Sequence, residues 1–213
     1  MLCSPHNPAT TIVPRAPLLA LLSALGDDPP LLVLDEAYGD FVDDPEYPDA
    51  ISEYAKAGRR VLVLRTFSKI YGLAALRVGY GIGSEDVITS ITKVRRAFDV
   101  TSVAQEAALA SLDDTEEIAR RRRANRESMA LLVAALRAAG LDPVEPAVAN
   151  FLFVEVDDAA SLNDALLRRG VIVRPLGSFG AANALRITAG TPDEIAFLAD
   201  ALQAVVPALR QGA

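Results

Sequence analysis

The chain is poor in the residues that usually build reactive sites. One cysteine, Cys3, occurs in 213 residues, so no intrachain disulfide is possible, and a reducing cytoplasm fits. One histidine, His6, excludes a multi-histidine metal site and leaves one candidate for a Ser–His or Cys–His pair. Tryptophan is absent. Lysine occurs at Lys56, Lys69 and Lys93 only, so a function that needs a lysine has few places to put it. The apolar run at 18–25 is far short of a membrane span, and the first eight residues lack a basic start followed by an apolar stretch. Positive charge is also short: 21 basic against 28 acidic residues give a net charge of −7, which argues against nucleic acid and anionic membrane as partners. What remains is 51% hydrophobic and 23% charged, the composition of a globular protein of one large or two small domains.

The first hundred residues alternate strand and helix signals. Residues 18–25 read as a helix closed by Gly26, and 46–58 as a second helix ended by Gly58. The apolar runs 31–34 and 61–64 read as strands buried on both faces, and 78–82 as a third strand punctuated by glycines. Residues 1–3 look like the end of a further buried strand. This alternation predicts a mostly parallel sheet with flanking helices, whose ligands sit beyond the carboxyl ends of the strands. Residues 113–139 carry no glycine or proline and read as one long helix stopped by Gly140. The boundary between two domains, 1–125 and 126–213, is placed inside it. The remainder reads as α+β: strands at 151–156, 171–173 and 185–188, a helix at 161–169, and a last helix capped by Thr191 with Pro192 at its first position. The block Arg120 to Arg123 follows Glu116 and Glu117 at helical spacing, which predicts ion pairs along an exposed helix.

Each strand end of the first part presents polar groups. Asp35-Glu36-Ala37-Tyr38 follows one strand; Arg65-Thr66-Phe67-Ser68-Lys69 follows the next, with Arg77 eight residues further on. Asn7 lies in the loop after the first stub. A carboxylate directly after an apolar strand is nearly buried and needs a cationic partner. Two hydroxyls and a guanidinium suit a phosphate dianion. Pyridoxal 5′-phosphate would use all of these groups: an amine for its aldehyde, a carboxylate for its ring nitrogen, neutral donors for its ring oxygen, and hydroxyls with an arginine for its phosphate. Taken one at a time, the groups have plainer readings. Lys69 also fits a solvated loop lysine, and Asp35-Glu36 also fits a helix N-terminus.

The strings Ser4-Pro5-His6-Asn7-Pro8, Asp35-Glu36-Ala37-Tyr38, Thr66-Phe67-Ser68-Lys69 and Gly72-Leu73-Ala74-Ala75-Leu76-Arg77-Val78-Gly79-Tyr80 resemble, in order and spacing, the consecutive motifs of class I/II (fold-type I) aminotransferases. The ending Arg174-Pro175-Leu176-Gly177, Phe179-Gly180 and Asn183-Ala184-Leu185-Arg186-Ile187-Thr188-Ala189-Gly190-Thr191 is similar to the histidinol-phosphate aminotransferase branch. The bacterial aromatic (phenylalanine) aminotransferases share the string around Lys69 and are the alternative; a cobalamin-pathway decarboxylase shares the fold.

The resemblance implies a fold and a set of roles. The fold is α/β: the C-terminal half of the large domain of a pyridoxal-phosphate-dependent transferase, plus a small α+β domain. Lys69 would bond to the cofactor aldehyde and then carry protons. Asp35 would hold the ring nitrogen protonated, Asn7 and Tyr38 would bond the ring oxygen, and Thr66, Ser68 and Arg77 would grip the phosphate. Arg186, Arg174 and Asn7 would meet the substrate, a small amino or keto acid. The assembly implied is a homodimer of the full-length form. His6 reads as a loop residue rather than a base, and Cys3 as a small buried residue. Relatives usually continue the first motif as Asn-Pro-Thr-Gly, whereas here Ala9 and Thr10 follow Pro8, so that turn is expected to differ. Relatives also carry a substantial preceding segment. The resemblance therefore implies an N-terminally truncated chain that binds cofactor poorly on its own, with an inactive remnant as the other possibility.

Overall fold

The structure, a computed structural model, describes residues 1–26 and 28–211. Two compact units emerge, one of residues 1–7 and 11–122, the other of residues 8–10 and 123–213. In the first unit, β1 (Leu2–Cys3), β2 (Leu32–Asp35), β3 (Val61–Thr66) and β4 (Gly79–Ile82) form a sheet in that order. The first three strands are parallel and β4 is antiparallel to β3. The ladder pairs Leu32 with Val61 and Asp35 with Leu64, so the two apolar runs lie side by side and every polar residue that follows them emerges at one edge.

One face of this sheet is covered. Leu34, Val61 and Val63 pack with Leu18 and Leu22 of α1 (Arg15–Ala24) and with Ala50, Tyr54 and Ala55. Val33 and Leu64, on the other face, are only half-buried. The strand at 31–34 is therefore not buried on both faces, as its apolar run led one to expect: the covering elements lie on the Leu34 side and burial alternates along it. In the strand at 61–64, Val61, Leu62 and Val63 are all buried and only Leu64 is half-buried, so that expectation holds for most of its length.

The helix expected at 46–58 is a short π-helical turn at Ile51–Ala55. Pro48 has no N–H to give a helix, and the carbonyls of Pro45, Glu46 and Tyr47 are taken by Arg15, through its side chain and its own N–H. The helix α2 (Glu85–Val94) follows β4. The helix α3 (Ser102–Asp113) starts where Thr101 accepts from the Ala104 N–H at 3.2 Å, and its Ala104 and Ala108 pack on Phe67 and Val78.

The helix α4 (Thr115–Ala138) contributes its first turns to one unit and the rest to the other. In the second unit, β5 (Phe151–Glu155), β7 (Ala184–Thr188) and β6 (Arg174–Pro175) make an antiparallel sheet with β7 central. Its Leu152, Val154, Leu185 and Ile187 face Leu132 and Leu136 of α4, Leu162 and Leu166 of α5 (Ala159–Leu167), and Leu198 and Leu202 of α6 (Pro192–Gln211). A reciprocal cap opens α6: the Thr191 N–H donates to Glu194 Oε2 at 2.7 Å and the Glu194 N–H to Thr191 Oγ1 at 3.3 Å. The strand expected at 171–173 begins only at Arg174. The Val171 N–H is spent closing α5 on the Leu166 carbonyl at 3.0 Å, so the chain leaves the helix late and pairs late. Among the described residues no helix is long and apolar enough to cross a membrane.

Candidate active site

The parallel register brings the ends of β1, β2 and β3 to one edge, and the loops that leave them carry Asn7, Asp35 to Tyr38, and Thr66 to Lys69. The Ser4 N–H donates to the Asp35 carbonyl and the Glu36 N–H to the Leu64 carbonyl, both at 2.9 Å, so the ladder runs one step past the named strands. Asp35 and Glu36 are thereby sent to opposite faces.

Glu36 goes to the covered face, where it is 2% exposed. Its Oε2 accepts from Arg65 Nε at 3.0 Å and Nη2 at 2.7 Å, and Arg65 Nη1 reaches Asp40 Oδ1 at 3.3 Å. Burial pushes the carboxyls of Glu36 and Asp40 up, and the pull of Arg65 opposes this in both. Burial works against the charge of Arg65 too, but Glu36 and then Asp40 outweigh it and hold the guanidinium charged. The Tyr47 hydroxyl, itself raised by burial, donates to the Ser4 carbonyl at 2.7 Å. Gly39 leaves the space this packing needs, since a Cβ there would lie 2.9 Å from the Tyr47 oxygen and 3.3 Å from Glu36 Cβ.

Asp35 goes to the other face. It is half-buried, its Oδ1 accepts from the Ala37 N–H at 3.1 Å, and no arginine or lysine pairs with it among the described residues. The exposed Lys69 has its Nζ 5.0 Å from the centre of the ring of the buried Tyr38, again without a carboxylate partner among the described residues. The Thr66 hydroxyl accepts from the Ser68 N–H at 3.1 Å, which folds the chain back just before Lys69. The Gly72 N–H closes that turn on the Lys69 carbonyl at 2.9 Å. Arg77 stands exposed at the end of a short 3-10 turn, in the left-handed region at φ 53°, with Nη1 on the Ala74 carbonyl at 2.7 Å. Asn7 is half-buried and His6 exposed. Cys3 is half-buried rather than buried; burial raises its thiol, whose Sγ donates to the Pro5 carbonyl at 3.3 Å.

In the turn after Asn7, Thr10 takes the left-handed conformation, at φ 63°. Thr10 is fully buried and its hydroxyl has no hydrogen-bond partner among the described residues. A β-branched side chain in this conformation is strained, and such strain concentrates near functional sites.

Arg174 and Arg186 belong to the second unit, where they sit directly opposite each other on β6 and β7. The Arg186 guanidinium lies 5.1 Å from the centre of the Phe151 ring. Two like charges face to face repel, and an anion between them relieves the repulsion. A cleft of about 480 Å³ in the same unit, lined by Ile172, Thr188, Phe197 and Leu198 among others, holds none of the candidate residues.

The sequence reading missed two groups of residues. Glu36 and Arg65 form the buried pair, although the offset that joins Leu32 to Val61 also joins 36 to 65. Arg121 and Arg122 do more than pair along an exposed helix. Arg120 and Arg121 both bond Glu117, but Arg121 Nη1 also donates to the Ile70 carbonyl at 2.7 Å and Arg122 Nε to the Asp40 carbonyl at 2.5 Å. Helix periodicity puts a side chain on a face; it does not say which loop comes to meet it.

Comparison with known proteins narrows the chemistry. The profile of the family described as aminotransferase class I and II matches residues 1–202. The chain is 42% identical over 206 residues to histidinol-phosphate aminotransferase 1 of Cupriavidus pinatubonensis, covering 95% of this chain and 54% of that protein. It is 43% identical over 209 residues to the histidinol-phosphate aminotransferase of Symbiobacterium thermophilum, covering 96% and 56%. Among solved structures, the histidinol-phosphate aminotransferase of Sinorhizobium meliloti in complex with pyridoxal-5′-phosphate superposes with a TM-score of 0.87 at 30% identity, over 98% of this chain and 57% of that one. The chain thus spans about half the length of the curated relatives it matches.

Proposed function

This chain belongs to the class I and II aminotransferase family, and from that premise we propose that it carries the lysine-bearing part of a pyridoxal-phosphate-dependent aminotransferase acting on histidinol phosphate and 2-oxoglutarate, to give imidazole acetol phosphate and glutamate. One observation carries the reading. Asp35 is a half-buried carboxylate without a cation partner among the described residues, at the same strand edge as an amine, Lys69, that is likewise without a carboxylate. A protonated ring nitrogen supplies the cation that Asp35 lacks.

The residues fit that cofactor. Lys69 is the amine for its aldehyde, Asp35 the acceptor for its ring N–H, and Asn7 and Tyr38 the donors for its ring oxygen. Thr66, Ser68 and Arg77 are the donors for its phosphate, the Thr66 hydroxyl proton being left over once its oxygen has accepted from Ser68. Bound there, the cofactor supplies an electron sink for the pair left when the substrate α-carbon loses its proton. Lys69 Nζ, free to act as a base once the substrate amine has replaced it at the aldehyde, would take that proton. Asp35 keeps the ring nitrogen protonated. Arg186 and Arg174 are proposed to bind anionic groups of the substrate, the Arg186 guanidinium lying 5.1 Å from the centre of the Phe151 ring.

The identities of 42% and 43% to named histidinol-phosphate aminotransferases support the choice of substrate. A homodimer of the full-length form is the assembly proposed; the exposed apolar side chains of α2, α3 and the turn between them, among them Val94, Phe98, Val103 and Leu109, are compatible with a covering surface there. The single cysteine fits a cytoplasmic enzyme. Turnover of histidinol phosphate against phenylalanine, each with 2-oxoglutarate, tests the assignment. The expected result is preference for histidinol phosphate, abolished by Lys69→Ala; preference for phenylalanine would move the protein to the aromatic branch.

A further inference from the structure

We infer that the buried Glu36–Arg65–Asp40 cluster is a positioning device: from the covered face of the sheet it fixes the ends of β2 and β3, and so the places of Asp35 and Lys69. The inference rests on the roles proposed above for those two residues. Glu36 directly follows Asp35, and Arg65 lies four residues before Lys69. The Glu36–Arg65 bonds at 3.0 and 2.7 Å therefore join the two segments that carry the carboxylate and the amine. Asp40 extends the tie through Arg65 to the far end of the loop that holds Tyr38. Two neighbouring arginines of α4 complete it from outside: Arg122 holds the Asp40 carbonyl, and Arg121, braced by Glu117, holds the Ile70 carbonyl next to Lys69. Gly72, at φ 73°, lies against that guanidinium, where a Cβ would stand 2.7 Å from Nη1.

A buried ion pair is a poor way to gain stability, because desolvation offsets most of the attraction and a well-packed apolar pair serves as well or better. What apolar side chains do not supply is direction. Two hydrogen bonds from one planar guanidinium to one carboxylate oxygen fix the offset of β3 against β2 in a way that leucine and methionine do not. The cluster faces away from the side where Asp35 lies, so it acts through Asp35 and Lys69 rather than on a ligand.

The double variant Glu36→Leu with Arg65→Met, carried on Asp40→Asn so that no carboxylate of the cluster is left buried without its cation, separates positioning from stability. Its unfolding midpoint is expected within about 4 °C of the parent. Hydrogen exchange of the cofactor-free protein at the amides of Ala37, Ser68 and Gly72 is expected to rise about tenfold, and the dissociation constant for pyridoxal phosphate to rise about tenfold as well. Parent-like exchange at all three amides in a folded double variant would overturn the inference. If the double variant does not fold, Glu36→Gln keeps the shape and removes the charge; faster exchange at those amides supports the device, and parent-like exchange overturns it. A parent protein that takes up no pyridoxal phosphate at Lys69 would refute the functional reading instead, while the exchange measurement would still decide the clamp.

Discussion

Asp35 and Glu36 are adjacent carboxylates with opposite surroundings. Glu36 is enclosed, doubly bonded by Arg65, and tied through Asp40 to α4. Asp35 stands at the half-buried face with one backbone N–H as its partner and no cation among the described residues. The pleat alone makes the difference, since one residue along a strand reverses the face. A charge satisfied inside the fold serves the fold, and one left without its counter-charge is available to a ligand. Lys69 and Arg65 repeat the contrast on β3 and the loop that follows it.

The contrast can be broken most sharply by exchanging its two members. Glu36→Leu alone leaves the Arg65 guanidinium buried with only Asp40, and unfolding stability is expected to fall by about 3–5 kcal/mol. Asp35→Asn keeps the acceptor for the Ala37 N–H and is expected to change stability by less than about 0.5 kcal/mol while removing cofactor-dependent activity. Chemical denaturation of both variants checks the pair, and an equal loss in the two would erase the distinction. A smaller effect is expected at the strained turn after Asn7. Thr10→Gly removes the left-handed strain and the unpartnered hydroxyl at the cost of a freer unfolded chain, for a net gain of about 1 kcal/mol in the same assay. The smallest concerns the outer brace. Hydrogen bonds from Arg120, then from Arg121, hold the Glu117 carboxyl down to about 2, below its ordinary 4.5. Its folded value is depressed, so its contribution is complete above the ordinary carboxylate range and is lost as the pH falls towards about 2. Unfolding midpoints between pH 5 and 2 should therefore drop less steeply in Glu117→Gln than in the parent.

Much of this contrast was legible in the sequence, and the illegible parts share a cause. The apolar runs before Asp35 and Arg65 mark β2 and β3 because such runs suit buried strands, and the parallel register brings their polar ends to one edge. The Thr191–Glu194 cap and the stops at Gly140 and Gly170 are local signals, written within a few residues, and all appear. The segment around Pro48 read as a helix because composition outweighed the proline, whereas Arg15, 30 to 32 residues away, takes the carbonyls a helix would need. The pairs Glu36–Arg65, Arg121–Ile70 and Arg122–Asp40 likewise join residues 29, 51 and 82 positions apart, and only the register or the packing of α4 brings them together. At Thr10 the chain takes the left-handed conformation with a β-branched residue, a strain that the residue order alone does not show.

The central claim is that Lys69 is the amine that holds the cofactor, and borohydride reduction of the protein with pyridoxal phosphate bound tests it most directly. Peptide mass mapping should find the reduced adduct on Lys69, with Lys56 and Lys93 unmodified. An adduct on either of those lysines with Lys69 clean would contradict the account.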